Sequence, residues 1–352
     1  MKVKKKTKNE EVADELKKFS EYMLRWDISG VDNIYNKVKE TVKKISKIFN
    51  LGNEWIEIVE DLPKYEPFLS TNVRYREHFI HEFQVFQLGY AIINKNEIVN
   101  EKLKKYLKTN EDDVIKYWFL GSMSHDSAYV IEGTPTSLQE LLNKAFRGEV
   151  SCTFQIDPSR VQGYEFHKSK LIDLIGEKLE LTDEQTTELY GKLSDILSDK
   201  RNHGLLSAIM LLKQLIKPRG RGKKEYLYEV ALAIALHPED VYKELGSLTG
   251  KSLTFEKLPF AFLLMFCDNA QEWGRPFMTS IFNQKVNDQK IKVVLDKLDI
   301  KQDKVEVVLQ YSEEIDCIPA PDEHWGVKDI DFRIFHASNK RVFKKNIFIE
   351  PS

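Results

Sequence analysis

The sequence predicts a mainly α-helical protein with a small antiparallel β appendage near its C-terminal end. Three observations lead there. From about residue 70 to 280 the apolar residues come in long runs or at three- and four-residue spacings, with few two-residue alternations. After Pro276 the character changes. Segments 290–300, 304–311, 329–335 and 341–349 mix β-branched and charged residues, and several alternate with the period of half-exposed strands. Hydrophobic content of 42% and charged content of 31% suit a chain that folds around a core.

Residues 1–66 are expected to form an N-terminal helical segment. Lysines at 2, 4, 5, 6 and 8 are not followed by an apolar run, so the start is expected to be a solvated terminus and not a signal peptide. Leu16, Phe19, Tyr22, Met23 and Trp26 then recur at helical steps. Ser29-Gly30 interrupts them, and a second amphipathic run over 34–49 ends near Leu51-Gly52. A break is expected from Leu62-Pro63 to Pro67, because proline removes a helical donor.

Residues 67–282 are expected to form the helical core domain. Segment 75–89 lacks proline and is apolar at 79, 80, 83, 85, 86 and 88, as in a buried helix. Gly133-Thr134-Pro135-Thr136 leads into a capped helix at Ser137, and 147–165 reads as irregular or partly strand-like. Lys217-Pro218-Arg219-Gly220-Arg221-Gly222-Lys223-Lys224 stops one helix and forms a basic loop. The apolar run 259–267 is long enough only for a buried helix. Residues 283–352 are expected to be the β appendage.

The same numbers narrow the function. A net charge of −2 gives no global electrostatic case for nucleic-acid binding. No stretch approaches 18 uncharged apolar residues, so no membrane span is expected. Cys152, Cys267 and Cys317 are far apart and odd in number, which suggests reduced thiols and a cytoplasmic protein.

The chemistry is concentrated in histidines and aspartates. His125 and Asp126 stand side by side after the aromatic run Tyr117-Trp118-Phe119-Leu120, and an imidazole nitrogen and a carboxylate can share one metal ion. Four of only eight histidines make an ordered series in apolar settings: His81, His125, His203 and His237. Asp268 follows Leu263-Leu264-Met265-Phe266-Cys267, where an unpaired carboxylate would bear a large desolvation cost. It needs a metal, a basic partner such as Arg275, or a strong hydrogen-bond set. Gly204, Ser207 and Ala208 near His203 would let a neighbouring helix approach, either for packing alone or to crowd a metal centre. His78 is a rival to His81, one helical turn away.

The order His81, His125-Asp126, His203, His237, Asp268 on helices resembles the HD superfamily of metal-dependent phosphohydrolases. The similarity covers about residues 70–280. Val85 stands four residues after His81 as in that family's first helix, and the His-Asp pair matches its namesake. His203 and His237 resemble the additional histidines of its two-metal, phosphodiesterase-like branches. Ser127-Ala128-Tyr129 follow the pair where many relatives carry Ile-Gly-Lys, and the interval 130–200 is longer than in compact members.

The resemblance implies an HD-type helical core. It implies one metal held by His81, His125, Asp126 and Asp268, and a second held by Asp126, His203 and His237. Such ligands admit Fe, Mn, Co, Ni or Zn. The implied activity is hydrolysis of a small phosphate ester, a nucleotide or cyclic nucleotide, by metal-bound hydroxide, with Asp126, Arg201 and Arg275 as catalytic candidates. Asn202, Gln271 and Glu272 are further candidates near the substrate. Two other classes remain: a metal-holding scaffold that binds or signals without turnover, and an HD-type nuclease, which the charge does not favour.

Overall fold

The computed structural model describes residues 6–18, 31–65, 78–131, 163–198, 203–216, 225–249, 254–271, 273, 293–311, 330–338 and 342–346. Twelve helices precede the strands among these residues. They are α1 (Lys8–Lys17), α2 (Val31–Ile48), α3 (Asn53–Tyr65), α4 (Phe79–Lys95), α5 (Glu97–Leu107) and α6 (Glu111–Ser122). Then come α7 (Tyr164–Leu179), α8 (Asp183–Ser198), α9 (His203–Leu215), α10 (Glu225–Leu236), α11 (Glu239–Thr249) and α12 (Pro259–Ala270). The chain is mainly helical with a small sheet near its C-terminal end, as the patterning predicts.

Local chemistry sets the helix ends. Thr7 and Glu10 form a reciprocal capping box at α1. The Asn96 side chain accepts from the Val99 amide to start α5, and Asn110 does the same for Asp113 at α6. Pro259 begins α12, where its missing N–H costs nothing. Helix α3 departs from expectation by running through Pro63 to Tyr65. Pro63 lies in the last turn, so its missing donor removes one terminal bond and does not end the helix. Residues 19–30, with Phe19, Tyr22, Met23 and Trp26, lie outside the described residues, as do the expected helix start at Ser137 and 147–162.

Helices α4, α6, α10 and α12 pack on one another, and α9 packs on α10. Their centre is aromatic and aliphatic: Phe83, Phe86, Trp118, Phe119, Val230, Ile234, Phe260 and Leu264 are all buried. One contact fixes the α4–α6 approach. The Trp118 indole lies where a Cβ on Gly89 would be, 2.0 Å from that position, and its N–H donates to the Phe86 carbonyl at 3.0 Å. The long interval before His203 contributes to this core, since Leu171, Ile172, Ile175 and Leu179 of α7 are buried in it.

The four strands are β1 (Val293–Ile300), β2 (Lys304–Tyr311), β3 (Asp331–Ser338) and β4 (Val342–Asn346), in spatial order β1-β2-β3-β4. The sheet is mixed and not purely antiparallel. β1–β2 and β3–β4 are antiparallel, but β2–β3 is parallel, with Val305 opposite Phe332. A parallel pair needs a connection of about a dozen residues or more, which 312–330 supplies. Alternation is as expected: Val305, Val307, Leu309, Phe332 and Ile334 are buried, while the Glu306 carboxylate accepts from Lys297 at 2.9 Å on the other face.

The sheet grips the helix that carries Asp268. The Phe332 ring packs against Phe255, Phe262 and Phe266 at 4.9–5.8 Å between centroids. The Asn96 side chain also donates to the carbonyls of Lys301 and Gln302, tying the β1–β2 turn to the start of α5. Among the described residues no helix is long and apolar enough to cross a membrane.

Candidate metal centre

Five elements deliver the histidines and aspartates to one place. His81 lies in the first turn of α4, and Asp268 near the end of α12. His125 and Asp126 occupy the turn after α6, not a helix. His203 opens α9. His237 immediately follows α10, whereas the apolar run before it predicts a helical position. The difference arises because Pro238 comes next and disfavours helical geometry at the residue before it.

Two groups form around Asp126. Its Oδ2 lies 3.8 Å from His81 Nε2 and 3.6 Å from His125 Nε2. Asp268 Oδ1 completes this side, 2.8 Å from His81 Nε2 and 3.5 Å from His125 Nε2. The other oxygen, Oδ1, lies 3.2 Å from His203 Nε2 and 3.4 Å from His237 Nε2. Those two nitrogens are 3.2 Å apart. His78 also faces Oδ2, at 3.8 Å, so both rival histidines reach the site.

The ring orientations have identifiable causes. His81 Nδ1–H donates to the Gln271 amide oxygen, whose NH2 in turn donates to Gln84 Oε1 at 2.7 Å and to the Trp273 carbonyl at 2.6 Å. His125 Nδ1–H donates to the Ser122 carbonyl at 2.7 Å, and His237 Nδ1–H to the Ile234 carbonyl at 2.6 Å. All three acceptors can only accept, so each Nδ1 carries a proton and each neutral ring turns a bare Nε2 lone pair inward. Such outer hydrogen bonds are how metal-holding imidazoles are usually fixed.

The result is a set of lone pairs facing carboxylate oxygens, an arrangement that only protons or cations relieve. His125 Nε2 is fully buried, and the atoms facing it are carboxylate oxygens, Asp268 Oδ1 at 3.5 Å and Asp126 Oδ2 at 3.6 Å. Tetrahedral ligands about 2.0–2.1 Å from a zinc-like ion stand roughly 3.3 Å from one another, and the separations of 3.2, 3.2 and 3.4 Å around His203, His237 and Asp126 Oδ1 match that spacing. Two groups with the chemistry and spacing to hold a metal ion are His81, His125 and Asp268, and His125, Asp126 and His237.

Without a cation, protons take its place. Burial pushes the Asp126 carboxyl up, but the charge of His125 and hydrogen bonds from His203 and His237 outweigh it and hold Asp126 well below the usual carboxylate range. Asp268 is likewise depressed, burial being outweighed by hydrogen bonds from His125 and His81. The same carboxylates overcome burial at His125 and raise its imidazole. His237 goes the other way: burial lowers it, the Asp126 hydrogen bond opposes this, and the neighbouring His125 and His203 lower it further.

Small residues let the two halves close. A Cβ on Gly204 would lie 2.5 Å from Pro238 Cγ and 2.8 Å from the Ile234 carbonyl oxygen, so α9 reaches the end of α10 only because residue 204 is glycine. The buried Ser207 hydroxyl accepts from the Ala128 amide at 2.9 Å and pins the turn that presents Asp126. The Trp55 indole N–H donates to Ser124 Oγ at 3.0 Å and holds that turn from α3.

Gln271 is a candidate in the sequence. Gln84 is not, although it sits one helical turn from His81 on a buried, largely apolar helix, which is the signal for it. Trp55, Ser122 and Tyr129 carry no such signal, because their partners are distant or backbone. Arg201, Asn202, Glu272, Arg275 and the basic loop 217–224 lie outside the described residues. No family model, curated protein or solved structure matches the chain.

Proposed function

We propose that the protein is a metal-dependent phosphohydrolase that holds two divalent cations, with Asp126 shared between them, and acts on a small phosphate ester such as a nucleotide or cyclic nucleotide. One observation carries the reading: imidazoles face both oxygens of Asp126, His78, His81 and His125 on the Oδ2 side and the second pair, His203 with His237, on Oδ1. A single-cation centre has no use for the second pair.

His81, His125, Asp268 and Asp126 Oδ2 would hold one cation, and His203, His237 and Asp126 Oδ1 the other. Mixed imidazole and carboxylate ligands suit Fe, Mn, Co, Ni or Zn. Cations so placed would supply charge neutralisation for phosphoryl oxygens and acidify a water between them. The chain's own part is to fix the lone pairs. Gln271, Ser122 and Ile234 hold three imidazoles in one tautomer before substrate arrives, so no reorganisation is needed during the reaction.

The test is hydrolysis of bis-p-nitrophenyl phosphate and a panel of nucleotides and cyclic nucleotides by protein loaded with Mn, Co or Fe. Cleavage that disappears in Asp126→Ala supports the reading. Protein that retains metal yet cleaves nothing fits the ligand-binding alternative and overturns the hydrolase.

A further inference from the structure

His81 is oriented by a hydrogen-bond array that runs in one direction. Its Nδ1–H donates to the Gln271 amide oxygen. The Gln271 NH2 then donates to two acceptors, Gln84 Oε1 at 2.7 Å and the Trp273 carbonyl at 2.6 Å. Gln84, Gln271 and Trp273 are all buried, so bulk water does not compete for these bonds. A side-chain amide can turn over and exchange its oxygen for its NH2. Were Gln271 to do so, its oxygen would face two acceptor oxygens and its NH2 would face His81 Nδ1. The neutral ring would then carry its proton on Nε2, where Asp268 Oδ1 stands 2.8 Å away and would accept it. That tautomer has no inward lone pair and excludes a cation. The direction of the Gln271 amide is what separates it from the metal-binding tautomer.

We infer that Gln84 is a positioning residue for the metal centre: its side-chain oxygen fixes the direction of the Gln271 amide and so keeps the His81 Nε2 lone pair available. The inference rests on the metal-binding part of the proposed function and is independent of hydrolysis. A second observation favours a positioning role over a stabilising one. Gln84 Nε2 is buried and, among the described residues, has no hydrogen-bond partner. A buried donor without an acceptor costs stability, so a thioether of similar size would serve the fold as well or better. The array uses the oxygen end of Gln84, not the amide as a whole.

The test separates metal affinity from stability. Wild type, Gln84→Met and Gln84→Glu are compared as full-length protein. Cobalt affinity is read by competition with a chromogenic chelator, and melting temperature in the cobalt-free state. Gln84→Met removes the acceptor. It should bind cobalt about tenfold more weakly, the lower end of what losing an outer hydrogen-bond partner costs, with no lower melting temperature. Gln84→Glu keeps an acceptor oxygen but buries a carboxyl, so it should hold cobalt like wild type while melting lower. The two variants thus move the two readouts in opposite ways, which a purely structural role does not do. Unchanged affinity in Gln84→Met overturns the inference, because the Trp273 carbonyl alone would then hold the amide. Affinity and melting temperature falling together in Gln84→Met, or weak binding by folded Gln84→Glu, overturns it as well. Should Gln84→Glu not fold, Gln84→Met alone decides. The expected pattern without cleavage of any phosphate ester would leave the positioning role standing and remove the hydrolase. A wild type that binds no cobalt would overturn both.

Discussion

His203 Nε2 and His237 Nε2 lie 3.2 Å apart, each within 3.4 Å of the same oxygen of Asp126. The Nδ1–H of His237 is committed to the Ile234 carbonyl, so its Nε2 brings no proton in the neutral ring. Burial and neighbouring imidazoles resist charging it. Two inward nitrogens and a carboxylate oxygen at this spacing could hold a metal ion between them.

Gly204 makes that approach sterically feasible. Gly204→Ala would put a methyl group into Pro238 and the Ile234 carbonyl. We expect about 1–3 kcal/mol of destabilisation, the range for overpacking, and a loss of one metal equivalent as His203 is pushed from His237. Thermal denaturation and metal analysis on the same sample check both. A stable variant with full metal content would show that α9 can shift without harm.

Gln271 is expected to act through His81. Gln271→Leu removes the acceptor for His81 Nδ1–H and frees the ring to flip, with little change in volume. Metal affinity should fall by roughly 10–100-fold, the usual effect of losing such a partner. Competition with a chromogenic chelator measures it, and unchanged affinity would mean that packing alone orients His81.

Metal binding should depend on pH with a defined sign. The carboxylates raise His125 in the cation-free protein, so a proton competes for Nε2 from above the ordinary imidazole pKa of about 6.5. A cation needs that lone pair, so its affinity is full above the raised pKa and falls as pH drops through it. The gain in melting temperature on adding metal should therefore grow as pH rises from the ordinary imidazole value of about 6.5 through the raised one. A gain that is flat across that window would contradict the competition.

Much of this centre was legible in the sequence. The His125-Asp126 doublet and a carboxylate in an apolar run at Asp268 are costly to bury without purpose, so composition alone drew attention to them. Helices were legible through their period, and the strands through alternation. The parallel pairing of β2 with β3 was not, because residues 312–330 fix no handedness or direction that a local pattern displays. Nor was the Gln84–Gln271 relay, which joins positions 187 residues apart. The Tyr129 stack on His78 is likewise a tertiary contact between distant turns.

The sheet's grip on α12 gives a stability test that leaves the ligands untouched. Phe332→Ala removes the ring seated among Phe255, Phe262 and Phe266. It should cost about 3–5 kcal/mol, as for other buried Phe→Ala changes. Chemical denaturation of the metal-free protein reads this directly. A cost below about 1 kcal/mol would mean that the sheet contributes little to holding α12.

Metal stoichiometry tests the central claim most directly. Protein purified without added metal, then saturated and freed of excess, is analysed as wild type, His237→Ala and Asp126→Ala. A carboxylate shared between two cations predicts two equivalents in wild type, one in His237→Ala and neither in Asp126→Ala. One equivalent in wild type, or the same stoichiometry in wild type and His237→Ala, would contradict the shared centre.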